Sequence, residues 1–140
     1  MRHRLALSLF ALASLYLTAP MAVRAADEPI TVELNAAEPV QSKCRVAFVI
    51  GNKSPAAVDS LKLDLAIFNR DGVVQRRIVT EMGPLRRLKT IVKTFEFEND
   101  CNQIGSVLIN DVTACAPGDA AACLDRVTPT SKVNDIKFYK

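Results

Sequence analysis

Leu61-Lys62-Leu63-Asp64-Leu65-Ala66-Ile67-Phe68, followed by Asn69-Arg70-Asp71-Gly72, is the stretch that decides the fold class of this chain. Leucine or isoleucine stands at 61, 63, 65 and 67, with Lys62 and Asp64 between them. Successive side chains of an extended strand point to opposite sides, so this period of two predicts one buried face and one wet face. Asp71-Gly72 is hairpin chemistry, and Val73-Val74 opens a return strand.

Working outward from this hairpin, the chain predicts five further strands. Ile30, Val32 and Leu34 alternate with polar residues and form the first, and Ala36 to Lys43, with Pro39, reads as a connection. Cys44 to Gly51 is the second, with Val46, Phe48 and Ile50 on one face. The opening stretch is the third, from about Val58 to Asn69, and Gly72 to Glu81 the fourth. Leu88 to Glu98 is the fifth. Lys93 falls there on the same face as Ile91, Phe95 and Phe97, so either a bulge shifts the register near Val92 or Lys93 snorkels at the rim. Ile104 to Thr113 is the sixth, read as buried on both sides because Val107 and Ile109 share one face and Leu108 and Val112 the other. Ala120 to Ala122 are too few alanines for a helix so soon after Pro117-Gly118, and Thr128 to Lys132 reads as a linker. A seventh strand ends the chain, from Val133 or Ile136 to Tyr139. The expected architecture is an all-β, seven-stranded antiparallel sandwich of the immunoglobulin-like or fibronectin-like kind.

The first residues read as an export signal. Arg2, His3 and Arg4 are a basic start, Leu5 to Leu17 an apolar run short for a membrane span, and Val23-Arg24-Ala25 a small-residue cleavage site. Cleavage after Ala25 predicts a Sec-type signal peptide over 1–25, a single domain over 26–140, a periplasmic location and no remaining membrane span. Arg2, Arg4 and Arg24 leave with it, which takes three of the 18 Lys+Arg and none of the 15 Asp+Glu, so 15 of each remain. A neutral mature chain gives no reason to expect nucleic acid as a partner. The single histidine, His3, leaves as well, and with it any imidazole base or ligand.

Cys44, Cys101, Cys115 and Cys123 all lie in the mature part, and an even count in an exported chain predicts two disulfides. In a seven-strand immunoglobulin-like order the second and fifth strands pair antiparallel, so the start of one lies beside the end of the other. That predicts Cys44–Cys101, with Cys115–Cys123 closing the loop between the last two strands.

No nucleophile sits beside a base, so the chain is read as non-enzymatic and without a cofactor. Thr90-Ile91-Val92-Lys93 contains a hydroxyl and an amine, but three residues apart on a strand they face opposite ways. Two surface features are candidate sites. Arg76, Arg77, Arg86, Arg87 and Lys89, with Lys93, place six cations in eighteen residues against Glu81 alone, and form one basic patch if the fourth and fifth strands are neighbours. Glu96, Glu98 and Asp100 alternate near Asn99 and Asn102 and are weak candidates for calcium, without the spacing of an EF-hand loop.

The run from Val46 through Ser60 to Phe68, Asp71-Gly72-Val73-Val74 and Met82-Gly83-Pro84-Leu85 to Lys89-Thr90 resembles small β-sandwich modules of the FxLyD and fibronectin type. With Ile104 to Val112 and Cys115 added, the pattern is similar to a group of small exported proteins of Gram-negative bacteria. The resemblance implies a fold and a compartment, and no active residues. The leading expectation is a non-catalytic periplasmic module that binds another envelope protein through a sheet edge or the basic turn region. The alternative is a small-ligand or calcium-binding periplasmic protein using the acidic corner around Glu98 and Asp100.

Overall fold

The structure is a computed structural model that describes residues 28–140. The expected signal peptide therefore lies outside the described residues. The elements are β1 (Ile30–Val40), β2 (Lys43–Asn52), β3 (Ser60–Asn69), β4 (Val74–Glu81), β5 (Thr90–Phe97), β6 (Ile104–Ala116), helix α1 (Ala120–Arg126), β7 (Val127–Ser131) and β8 (Lys137–Tyr139). They make two four-stranded sheets, ordered β5-β2-β1-β7 and β4-β3-β6-β8. One buried cluster is drawn from both, with Ile30, Val46, Phe48 and Ile50 from the first and Leu61, Leu63, Leu65, Ile67, Val107 and Ile109 from the second.

The β3–β4 hairpin forms as its sequence predicts. Asn69 organises the turn: its Oδ1 accepts from the N–H of Asp71 at 3.0 Å and of Val73 at 2.8 Å. Gly72 takes φ 78°, the left-handed conformation that a residue without Cβ adopts at least cost. Both disulfides, Cys44–Cys101 and Cys115–Cys123, form as expected, and no cysteine among the described residues is free. Such bridges point to an oxidising, extracytoplasmic compartment.

The expected seven antiparallel strands are corrected on two counts: eight strands are present among the described residues, and the sheets are mixed. The segment read as a linker is β7, which runs parallel to β1 from Ile30/Val127 to Leu34/Ser131. Its sequence, Val-Thr-Pro-Thr-Ser, buries only Val127, so it carries no alternation to read. β8 runs parallel to β6. The segment 36–40, read as a connection, continues β1 into a hairpin with β2, closed by Val40 and Lys43. Pro39 falls in the half of β1 that has only β2 beside it, where a missing N–H is tolerated.

Helix α1 is a further correction. Asp119 caps it by accepting from the Ala122 N–H at 3.0 Å, and Cys123 is bridged back to Cys115 on β6. Pro117 and Gly118 precede the cap and so do not interrupt the helix. β6 is not buried on both faces. Register shifts against β3 leave Asn110 and Thr113 with no opposite residue in the ladder, which turns Val112 and Cys115 to the same side as Val107 and Ile109.

Candidate functional site

β5 pairs with β2 without any register shift from Gly51/Thr90 to Cys44/Phe97. Lys93 therefore does face inward with Ile91, Phe95 and Phe97, and of the two expected solutions the snorkelling one holds. Its Nζ donates to the carbonyl oxygens of Glu81, at 2.9 Å, and of Gly83. This links the outermost strand of one sheet to the end of the outermost strand of the other. Thr90 lies on the opposite face of β5, exposed, so the hydroxyl and the amine do not meet.

The predicted basic patch separates into three environments. Arg77 lies on the outer face of β4, where its guanidinium hydrogen-bonds the carboxylate of Asp64, and Asn110 Nδ2 donates to the same carboxylate at 2.7 Å. Asp64 is only 5% exposed, so the outer face of β3 is covered there rather than wet. The Arg77 hydrogen bond holds the Asp64 carboxyl below its usual range, against burial, with help from Asn110. Arg76 points to the other face of β4, near Glu98 of the opposite sheet, and its charge helps to keep that carboxyl low.

Arg86, Arg87 and Lys89 stand apart from these in the turn between β4 and β5. Among the described residues none of them has an ion-pair partner. The turn is a built structure. Asn52, 2% exposed at the end of β2, donates from Nδ2 to the carbonyls of Ala56 (2.8 Å), Arg86 (3.3 Å) and Leu85 (3.5 Å). Its Oδ1 accepts from the Ser54 N–H at 3.0 Å. Val58 and Leu85 exchange backbone hydrogen bonds of 2.9 and 2.7 Å, and both are buried. Leu88 N–H donates to Ser54 O at 3.1 Å, and Asn52 N–H to Lys89 O at 2.9 Å. The 52–58 loop and the 82–89 turn are thus one unit, which adds Lys53 to the basic end. Sequence reading missed both Lys53 and the role of Asn52, since both depend on a contact more than thirty residues away in the chain.

Glu81 anchors the other side of this unit. Its carboxylate accepts from Ser60 Oγ at 2.6 Å, Leu61 N–H at 2.8 Å and Gly83 N–H at 2.7 Å. Burial pushes the carboxyl up, but these hydrogen bonds and the charge of Lys93 outweigh it and leave it lowered.

The acidic ridge does not stand free. Glu96 pairs with Arg45 at 3.2 Å and Glu98 with Lys43 at 2.7 Å, both across the β2–β5 ladder. The Lys43 hydrogen bond keeps the Glu98 carboxyl low. Among the described residues no three His, Cys, Asp or Glu side chains converge as a metal site would require. Asp100 precedes a short 3-10 turn, Cys101–Gln103, beyond the end of β5, and its backbone carbonyl accepts from the Gln103 N–H at 3.0 Å. Two small surface clefts differ in character: the one at Asn69 and Asn102 is lined by polar side chains, and the one at Asp64 also exposes Ile78 and Val79. One of about 400 Å³ lies between Asn69, Arg70, Gln75 and Asn102, and one of about 420 Å³ beside Asp64 and Arg77.

Compared with protein-family models, curated proteins and solved structures, the chain matches none.

Proposed function

We propose that this chain is a non-catalytic periplasmic interaction module of the cell envelope, an immunoglobulin-like or fibronectin-like sandwich that takes up an extended segment of another envelope protein along β5. The edge of β5 carries this reading. Of the four outermost strands, β7 has five residues including Pro129, β8 has three, and β4 is interrupted by a register shift beside Gln75. β5 offers eight residues in unbroken register, with one side unpaired. A row of unpaired N–H and C=O groups is a template for strand addition, and bulges and short lengths are what normally blunt it. Lys93, the charge that would guard such an edge, is drawn inward onto Glu81 and Gly83. Val92 stands on the outward face at 65% exposure, ready to meet an apolar side chain of the added strand.

The absence of catalysis in this reading rests on the chemistry of the groups present. The four thiols are bridged, and the Lys93 amine is engaged by carbonyls. The disulfides favour export, and with it the signal-peptide reading of residues 1–25. The test is photocrosslinking in the intact envelope from Val92, with Lys62 on the outer face of β3 as the control position. A discrete adduct with a second envelope protein from Val92 but not from Lys62 is the expected result. Adducts of the protein with itself alone would remove the basis of the proposal.

A further inference from the structure

We propose that the end of the molecule formed by the 52–58 loop and the 82–89 turn docks on an anionic lipid surface, with Leu88 entering the interface and Lys53, Arg86, Arg87 and Lys89 meeting lipid phosphates. The inference is independent of strand addition at β5.

Leu88 is 70% exposed, the most exposed large apolar side chain described, and its φ is 51°. A leucine is disfavoured both in that backbone conformation and in that exposure, and strained residues of this kind gather at functional surfaces. The conformation is imposed from below. Ser54 O holds the Leu88 N–H, Lys89 O accepts from Asn52, and buried Asn52 fixes the carbonyls of Leu85 and Arg86. The fold thus spends a buried amide and several hydrogen bonds to hold a leucine outward.

Cations surround that leucine in sequence and in space. Arg86 and Arg87 precede it, Lys89 follows it, and Lys53 sits on the loop bound to the turn. The carboxylate nearest in sequence, Glu81, is turned away onto Ser60, Leu61 and Gly83. Arginine and lysine can lay their methylene stems beside an apolar residue while their heads reach phosphate, which makes this a small interfacial anchor. An acidic polymer is the rival occupant, and would engage the cations without desolvating Leu88.

The chain contains no tryptophan, so Leu88→Trp supplies a single fluorescent reporter. The protein carrying it, purified with both disulfides formed, is titrated with vesicles of phosphatidylcholine, with and without phosphatidylglycerol. A blue shift with the anionic vesicles only, reversed by salt, is expected. In cosedimentation, Arg86→Gln with Arg87→Gln should lower partitioning by about 25-fold, or about fivefold per cation. Leu88→Gly should lower it about tenfold without lowering the melting temperature, because glycine accepts the positive φ. Lys137→Gln on β8 should change nothing. No shift on anionic vesicles, equal partitioning of the double arginine variant, or binding to polyglutamate in place of vesicles would each overturn the proposal.

Discussion

Lys93 of β5 and Glu81 of β4 are joined by a 2.9 Å hydrogen bond from the lysine Nζ to the glutamate's backbone carbonyl, not to its carboxylate. The amine also serves the Gly83 carbonyl. Replacing it with methionine keeps the apolar stem and leaves both carbonyls without this donor. Lys93→Met is expected to cost about 1.5–3 kcal/mol, the range for hydrogen bonds to a charged group, as read from denaturant unfolding.

The Asp64–Arg77 pair has a different balance. The carboxylate is buried, whereas the arginine side chain is 61% exposed and its charge is partly screened. Arg77→Leu leaves Asp64 with Asn110 as its side-chain donor and should cost about 1–3 kcal/mol. Asp64→Asn combined with Arg77→Leu should cost less than Arg77→Leu with Asp64 intact, since no buried charge remains. A double-mutant cycle in urea measures the difference.

Acid unfolding follows from the same carboxyls. Asp64 and Glu81 are both held below their ordinary values. A carboxyl whose folded pKa is depressed contributes its full stability above its unfolded value, about 4, and loses it as pH falls through the depressed one. Stability should therefore be flat above about pH 5 and fall below pH 4. Glu81→Gln should make that fall shallower while lowering the plateau, which thermal melts from pH 2 to 7 can check.

The two bridges should differ in worth. Cys44–Cys101 closes a span of 57 residues and Cys115–Cys123 one of 8. On the loop-entropy account, replacing the first pair by alanine costs about 4 kcal/mol and the second about 2.5 kcal/mol. Equal losses for the two pairs would contradict it.

Gly105, the second residue of β6, lies against the β3–β4 hairpin. A Cβ there would sit 2.6 Å from the Asn69 carbonyl oxygen and 2.9 Å from the Arg70 Cα, both backbone atoms. Gly105→Ala should destabilise by about 1–3 kcal/mol, as overpacking does. Gly72→Ala meets open space and should cost only the left-handed penalty of about 1–2 kcal/mol.

The sequence by itself determined whatever depends on neighbours along the chain. The alternation of Leu61, Leu63, Leu65 and Ile67 selects a strand and its buried face, and Asn69 to Gly72 selects the turn. The Cys44–Cys101 pairing was legible because β2 and β5 pair antiparallel as an immunoglobulin-like order has its second and fifth strands, even though eight strands and not seven are described. Strands that owe their place to distant backbone left no such mark. β7 is held by β1, almost a hundred residues earlier, and β8 by β6. Only the tertiary structure decided which charges are spent and which are free. It set Asp64 under Arg77, paired Glu96 and Glu98 with Arg45 and Lys43, and drew Lys93 beneath its own strand. It left Arg86, Arg87 and Lys89 around an outward leucine, because electrostatic pairing depends on separation in space, which strand pairing and the Asn52-held turn together fix.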